Sequence, residues 1–374
     1  MPSARPTRVI ISGGGTGGHI FPAIAIANAL KKIENETEIL FVGAEGKMEM
    51  KKVPEAGYKI EGLWISGFHR KKMWRNIMLP FKVISSLTKS YRIMKNFKPD
   101  LAVGVGGYAS GPLLQVANWM GVPALIQEQN GYPGVTNKLL SKKVQKICVV
   151  YENMDKYFPA EKIIITGNPV RDSIVFNRFS KADSYDAFGL DLKYKTVLVT
   201  GGSLGAASIN RVIAGKLDFF VENKIQLIWQ TGELYIDDYK HLAEGKEEWI
   251  KIMPFVKNMA QAYRASDVVV TRAGGIISEL SISKKASILI PSPNVAEDHQ
   301  TFNAKALVKE DAAILVRDDE MEEQLCPEII SVITNDEKRE ALEENIGKLA
   351  IPDAARRIAI EVLKMKKDSN KDKA

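Results

Sequence analysis

The sequence predicts an α/β protein built from two Rossmann-like domains that face each other across a cleft. Three observations carry this expectation. Short β-branched runs alternate with helical patterns almost throughout, the signature of parallel β-α-β units and not of a sandwich or a bundle. The chain has 374 residues, and at roughly 150 residues per domain that length suggests two or three domains. The two halves also open alike. Val9-Ile10-Ile11-Ser12-Gly13-Gly14 and Val197-Leu198-Val199-Thr200-Gly201-Gly202 are each an apolar strand, a small hydroxyl residue and a glycine pair, with Gly13 and Gly201 standing 188 residues apart. Solenoid units run to only some 20 to 50 residues, so this spacing points to duplicated domains.

In the first half, strands are expected at Arg8 to Ser12, Glu38 to Gly43, Asp100 to Gly104, Pro123 to Gln127, Lys146 to Val150 and Lys162 to Thr166. In the second they are expected at Thr196 to Thr200, Gln226 to Gln230, Lys251 to Pro254, Asp267 to Thr271, Ser287 to Pro291 and Ala313 to Val316. Each half therefore has about six. Gly167-Asn168-Pro169-Val170-Arg171 breaks the pattern just after a strand and places the linker there, giving domains 1–170 and 171–352. From Asp336 onward the pattern is helical. Pro352-Asp353 restarts a final helix, which runs into the Lys-rich stretch Lys364 to Ala374, expected to be disordered at its end.

Composition narrows the function classes. Apolar residues make up 45% and charged residues 26%, which excludes collagen-like, mostly disordered and disulfide-scaffold proteins. The formal charge of +7 is modest for the length, so its distribution matters more than its size. Cys148, in an apolar run, and the distant Cys326 support neither a disulfide framework nor a zinc site. No apolar stretch approaches the 18 or so residues needed to span a bilayer, and residues 1 to 7 run into a strand with no signal-peptide core. A cytosolic protein is expected, free or seated on a membrane surface.

Ligands of Rossmann-like sheets bind beyond the carboxyl ends of the strands, and this chain places glycines at four such ends: 13 to 18, 104 to 107, 201 to 205 and 274 to 275. Backbone N–H groups and a helix N-terminus make phosphate the natural guest. Gly13, Gly15 and Gly18 satisfy G-x-G-x-x-G, which admits a nicotinamide oxidoreductase. That fingerprint also wants an acid at the tip of the second strand, where Val42 is followed by Gly43-Ala44 and Glu45 comes late.

Thr16-Gly17-Gly18-His19 puts an imidazole at a helix opening, where the helix dipole favours the neutral, proton-accepting ring. His19 is thus a candidate general base or hydrogen-bond donor; the alternative is a histidine that merely caps the helix. Glu128-Gln129-Asn130 follows an apolar strand, which places three polar side chains at a cleft edge to bond sugar hydroxyls or a nucleoside, or to stabilise a turn. Arg171 is placed to clamp a phosphate or tie the domains together, Ser203 to cradle a phosphate, and Glu279 to bind a ribose diol from the first turn of a helix. His69, His241 and His299 share no metal-ligand spacing, so no metal and no cofactor are expected.

From Gly62 to Pro99 there is no acidic residue, while Arg70, Lys71, Lys72, Arg75, Lys82, Lys89, Arg92, Lys95 and Lys98 supply nine positive charges. Phe68, Trp74, Leu79 and Phe81 are among the apolar residues interleaved with them. This pattern fits an anionic membrane surface, at about 1 kcal/mol per well-placed cation. RNA would use the same residue types, and a solvated helix face with the apolar residues in the core is the plain alternative; no nucleic acid partner is expected. Pro80 restricts the regular helix to Phe81 to Asn96.

Six motifs in register resemble one family. Gly14-Gly15-Thr16-Gly17-Gly18-His19-Ile20-Phe21-Pro22, Gly106-Gly107-Tyr108-Ala109-Ser110-Gly111-Pro112, Glu128-Gln129-Asn130, Gly167-Asn168-Pro169-Val170-Arg171, Gly201-Gly202-Ser203-Leu204-Gly205-Ala206 and Arg272-Ala273-Gly274, continuing through Pro291-Ser292-Pro293-Asn294 to His299-Gln300, are similar to the MurG family in glycosyltransferase family 28. The resemblance implies the GT-B fold, an acceptor- and membrane-binding first domain onto which the last helix (353–374) returns, and a donor-binding second domain. It implies transfer of N-acetylglucosamine from UDP-GlcNAc, with inversion, to the 4-hydroxyl of the muramoyl sugar of undecaprenyl-diphospho-muramoylpentapeptide (lipid I), giving lipid II on the cytoplasmic membrane face. Partners would be UDP-GlcNAc, lipid I, the anionic membrane and other cell-wall synthesis proteins. By the family pattern Thr16, Gly17, Gly18, Asn130, Arg171, Ser203, Val256, Gly274 and Gln300 would contact the donor and Glu279 the ribose. Gly107, Tyr108 and Asn137 would contact the acceptor, with His19 as first and Glu128 as second candidate base. Phe68, Arg70, Lys71, Lys72, Trp74, Arg75, Leu79 and Phe81 would meet the membrane. One departure stands out: family members usually carry one more residue between Arg-Ala-Gly and Ser-Glu than Gly275-Ile276-Ile277, so a shorter or reshaped donor loop is expected at 273–277. Rival readings are a diacylglycerol-glycosylating transferase, the nicotinamide oxidoreductase and a membrane adaptor without turnover.

Overall fold

The computed structural model describes residues 5–67, 77–295 and 298–371. The chain forms two compact units, Met1–Arg171 with Pro352–Ala374, and Asp172–Ile351. In the first, seven parallel strands β1 (Arg8–Ser12), β2 (Glu38–Ala44), β3 (Lys59–Leu63), β4 (Leu101–Gly104), β5 (Ala124–Glu128), β6 (Lys146–Val149) and β7 (Ile163–Ile165) lie in the order β3-β2-β1-β4-β5-β6-β7. Its helices are α1 (Gly17–Ile33), α2 (Glu49–Glu55), α3 (Leu79–Phe97), α4 (Ser110–Trp119) and α5 (Val135–Leu140). In the second unit come α6 (Asp172–Val175), α7 (Lys181–Asp186), β8 (Thr196–Thr200), α8 (Ala207–Ala214), α9 (Leu217–Glu222), β9 (Gln226–Gln230), α10 (Ile236–Tyr239), β10 (Ile250–Met253), α11 (Met259–Ala265), β11 (Val268–Thr271), α12 (Ile276–Ser283), β12 (Ala286–Leu289), α13 (His299–Lys309), β13 (Ile314–Leu315), α14 (Met321–Ile333) and α15 (Asp336–Lys348). A last helix, α16 (Ala354–Lys371), belongs to the first unit. It continues past Lys364 to Lys371, and the end of the Lys-rich stretch, where disorder is expected, lies outside the described residues.

The strands read as continuous apolar runs because helices cover both faces of a parallel sheet. Val9 and Ile11 point into one layer, with Ile20 and Ile26 of α1 and Ile358 and Val362 of α16. Ile10 points into the other, with Leu113 of α4 and Ile126. In the second unit Trp229, Phe220, Val199 and Leu325 are fully buried in one core. Two elements depart from expectation. Strand β3 was not expected, because Glu61 and Gly62 interrupt its apolar pattern; it survives as an edge strand paired only to β2. Helix α3 opens at Leu79, so Pro80 sits in the first turn, where its missing N–H leaves no helical bond unmade, and does not break the helix.

The second sheet runs β10-β9-β8-β11-β12-β13, the same winding as the first. In each, the strand order reverses beside the opening strand, at β1/β4 and at β8/β11. A doubly wound sheet binds ligands beyond the strand ends at this switch point. The four glycine-bearing ends named above fall on those four strands.

Candidate functional site

In the first unit α1 starts directly after the β1 loop. Thr16 is its N-cap in extended conformation (φ −147°, ψ 159°) and makes no side-chain cap to the helix. Its hydroxyl lies 3.1 Å from His19 Nδ1 instead, which fixes the imidazole at the helix mouth. The ring rests against the β4 loop, where a Cβ on Gly106 would lie 2.7 Å from His19 Nε2. The neighbouring Gly107 (φ +89°) is pressed onto Gly14, whose C and N atoms would stand 3.0 Å from a Cβ. Only glycine gives both that backbone conformation and that approach. Ser110 Oγ ties the two loops by donating to Ser12 O at 3.0 Å and Gly106 O at 2.9 Å. Tyr108, half exposed, lays its ring against Gly67.

Glu128 ends β5 and is buried. Its Oε1 accepts from Asn130 N (3.0 Å) and Asn130 Nδ2 (3.2 Å), and its Oε2 from Gly134 N (3.0 Å) and Asn137 Nδ2 (2.8 Å). Burial raises its pKa above the usual carboxylate value, with these hydrogen bonds opposing the rise. The carboxylate thus folds residues 128–137 around itself. Lys138 stands 3.7 Å over the Tyr132 ring and 5.0 Å from that of Tyr157, pinning the far side of the same loop. Arg171 stacks its guanidinium 4.5 Å over the Phe21 ring of α1, a contact the sequence does not announce.

In the β1 loop one backbone amide is already taken by a side chain of the protein. The N–H of Gly15 donates to Glu49 Oε2 at 2.9 Å, and Glu49 Oε1 accepts from Ala44 N at 3.0 Å. Glu49 has no exposed surface and thus occupies this part of the loop from within the protein. Sequence inspection passes over Glu49 because its partners lie 34 residues upstream and at the end of β2.

In the second unit Ser203 lies in the turn after β8. Gln230, at the end of β9 and also unannounced, organises that turn: Nε2 donates to Thr200 Oγ1 and Gly202 O, both at 2.9 Å, while Oε1 accepts from Val256 N at 2.8 Å. Val256 itself is buried. After β11 four residues, Arg272, Ala273, Gly274 and Gly275, precede α12, so Ile276 and Ile277 of the expected donor loop are helical. Arg272 is its anchor. Nη1 donates to Ile290 O (3.1 Å), Pro291 O (3.2 Å) and Asp318 Oδ1 (2.6 Å), and Nη2 to Ser208 Oγ (2.6 Å). A Cβ on Gly274 would lie 3.9 Å from Gln300 Nε2, and Gln300 Oε1 accepts from Ser292 N at 2.8 Å. Glu279, in the first turn of α12, accepts from the Tyr263 hydroxyl at 2.8 Å.

Of the membrane candidates, Phe68, Arg70, Lys71, Lys72, Trp74 and Arg75 lie outside the described residues. Leu79 is half-buried and Phe81 is 62% exposed at the start of α3. Ile77, Met78 and Ile84 are exposed beside it, so this apolar group is not core. No helix among the described residues is long and apolar enough to cross a membrane.

Two doubly wound parallel sheets, each with glycine loops at its switch point, are the domain architecture of the GT-B fold. Residues 9–149 match the glycosyltransferase family 28 N-terminal domain and residues 196–358 the family 28 C-terminal domain, and the chain belongs to that family. It is 53% identical over 367 residues, 97% of this chain and 99% of the relative, to a Bacteroides thetaiotaomicron protein named "UDP-N-acetylglucosamine--N-acetylmuramyl-(pentapeptide) pyrophosphoryl-undecaprenol N-acetylglucosamine transferase". A Flavobacterium psychrophilum protein of the same name is 50% identical over 96% of this chain and 97% of its own length. Among solved structures, Acinetobacter baumannii MurG superposes with a TM-score of 0.71 at 28% identity, covering 96% of this chain and all of that one. A Neisseria meningitidis UDP-GlcNAc 2-epimerase bound to UDP-GlcNAc, 15% identical with a TM-score of 0.69 and covering 96% of this chain and 100% of that one, shares the fold.

Proposed function

We propose that this chain transfers N-acetylglucosamine from UDP-GlcNAc to the 4-hydroxyl of the muramoyl sugar of lipid I, with inversion, giving lipid II. The observation that carries the reading is near full-length identity above one half to the Bacteroides transferase, joined to glycine loops at both switch points. The second unit takes the donor. Ser203 and the α8 N-terminus receive the diphosphate, the Val256 carbonyl and Gln300 the uridine and sugar, Gly274 leaves room for them, and Glu279 holds the ribose. The first unit takes the acceptor at Gly107, Tyr108 and Asn137, and by the family pattern Thr16, Gly17, Gly18, Asn130 and Arg171 are its donor-contact candidates.

The attacking hydroxyl must lose its proton, and a well-placed base is typically worth 10²–10⁴ in rate. His19 is the better base, because both oxygens of Glu128 already accept two N–H bonds each. Glu128 then serves by holding Asn130 and Asn137 in place. Negative charge gathering on departing UDP is met by backbone N–H groups and the helix N-terminus after β8. The exposed apolar start of α3, with the basic stretch before it, docks on the anionic cytoplasmic membrane face, where lipid I resides and other cell-wall synthesis proteins assemble. Purified protein with UDP-GlcNAc and a lipid I analogue tests the reading by mass spectrometry: a product heavier by one N-acetylhexosamine is expected. Donor hydrolysis alone, or transfer to diacylglycerol instead, would refute it.

A further inference from the structure

We infer that Glu49 is a positioning residue for this transfer, a buried carboxyl group that shapes the β1 loop and through it sets the His19 imidazole. The inference rests on the functional reading above. Glu49 is the first residue of α2 and has no exposed surface. Its two oxygens reach different strand ends, Oε2 taking the Gly15 N–H at 2.9 Å and Oε1 the Ala44 N–H at 3.0 Å. The loop is moulded to this carboxylate. A Cβ on Gly43 would stand 2.5 Å from Glu49 Cγ, and a Cβ on Gly14 would overlap the carboxylate itself. Glycine at both positions is thus required by the acid.

The consequences pass along packed backbone. Gly14, held on one side by Glu49, is pressed on the other by Gly107, the glycine before Tyr108. Gly15 precedes Thr16, whose hydroxyl fixes His19 Nδ1 at 3.1 Å, and the other edge of the ring rests on Gly106. Loss of the carboxylate frees the Gly15 and Ala44 amides and the space between Gly14 and Gly43. The two glycine loops then lose their common register, and the imidazole loses its fixed aim. Misplacing a reacting group by about 1 Å typically lowers a rate by about 100-fold.

The test uses Glu49→Ala and Glu49→Gln in the full chain with UDP-GlcNAc and a lipid I analogue, with and without added sodium formate. Expected for Glu49→Ala is a kcat lower by about 100-fold with KM for UDP-GlcNAc changed less than threefold. Formate, small enough to occupy the vacated space between the two amides, should recover at least a tenfold part of that loss, while leaving the wild type unaffected. Glu49→Gln, which keeps one acceptor but sets an NH₂ against an N–H, should be impaired and insensitive to formate. A readout independent of turnover is the His19 ring in ¹⁵N-edited NMR, whose signals should shift in both variants and return with formate in Glu49→Ala only. A kcat within threefold of wild type, absence of formate rescue, or unmoved His19 signals would overturn the inference. So would failure of both variants to fold, since Glu49 would then be architectural. If the wild type makes no product, the reaction assigned above is wrong, and the His19 signals still decide whether Glu49 positions the ring.

Discussion

Replacing Gly205 by alanine should harm the second unit far more than the same replacement three residues earlier, at Gly202. Both glycines have positive φ, +77° and +85°, so each alanine carries the left-handed conformational cost of about 1–2 kcal/mol. Their surroundings differ. A Cβ at Gly202 meets nothing within 4 Å, whereas at Gly205 it would overlap Thr231 O and stand 2.9 Å from Thr231 C and 3.0 Å from Tyr235 Cδ2. Carbonyl atoms of a strand-end residue cannot rotate away, so the loop itself must lift. Forcing a methyl into a closely packed site costs about 1–3 kcal/mol more, making the total about 2–5 kcal/mol. At about 2–4 °C per kcal/mol for a domain of this size, Gly202→Ala should lower Tm by about 2–8 °C and Gly205→Ala by about 4–20 °C. Thermal melts followed by tryptophan fluorescence report this through Trp229, sealed in the core of the same unit. KM for UDP-GlcNAc should rise only for Gly205→Ala. Equal midpoints for the two variants would refute the claim that the loop is held against Thr231.

Three further outcomes are expected. Arg272→Ala should cost about 3–5 kcal/mol in chemical denaturation, because it strands Asp318 in a largely buried pair; Arg272→Lys should recover part of this, since one ammonium cannot also reach Ser208. For Glu128, burial raises the folded-state pKa, so its contribution to stability is present below the unfolded value and is lost as pH rises through the folded one. The stability margin of wild type over Glu128→Gln should therefore shrink from pH 4 to pH 8 in thermal melts, and a growing margin would mean that the four hydrogen bonds outweigh burial. The double change Phe81→Ser with Ile84→Ser, at positions 62% and 63% exposed, should leave Tm unchanged and weaken sedimentation with phosphatidylglycerol vesicles by at least about tenfold, since each buried large apolar side chain is worth about 1.5–3 kcal/mol.

What could be read from the sequence follows the range over which each interaction acts. Strands such as Val197 to Thr200 declare themselves, because burial on both faces demands an unbroken β-branched run. Glycines at strand ends do so because only they permit the turns. Strand β3 hid because an edge position tolerates Glu61 and Gly62. Pro80 misled because its effect depends on whether it stands in the first turn or the interior of a helix. Glu49 and Gln230 go unannounced for a common reason: each is an ordinary polar residue with a decisive partner dozens of positions away, and Arg272, though part of a quoted motif, shows its anchoring contacts only through partners equally distant. No local pattern marks Gln230 as the link between Gly202 and Val256.

Helix α16 carries a consequence for how the protein is made. It buries Ile358, Ala359, Val362 and Met365 against the layer formed by β1 and α1, and Lys146 pairs with its Glu361 at 2.6 Å. During vectorial synthesis this first-unit surface emerges early but gains its cover only after the whole second unit has left the ribosome. For most of translation it stays greasy and unshielded, a natural client for a chaperone. Chains truncated near residue 351 would keep that surface bare and should accumulate as aggregates, however intact their second unit.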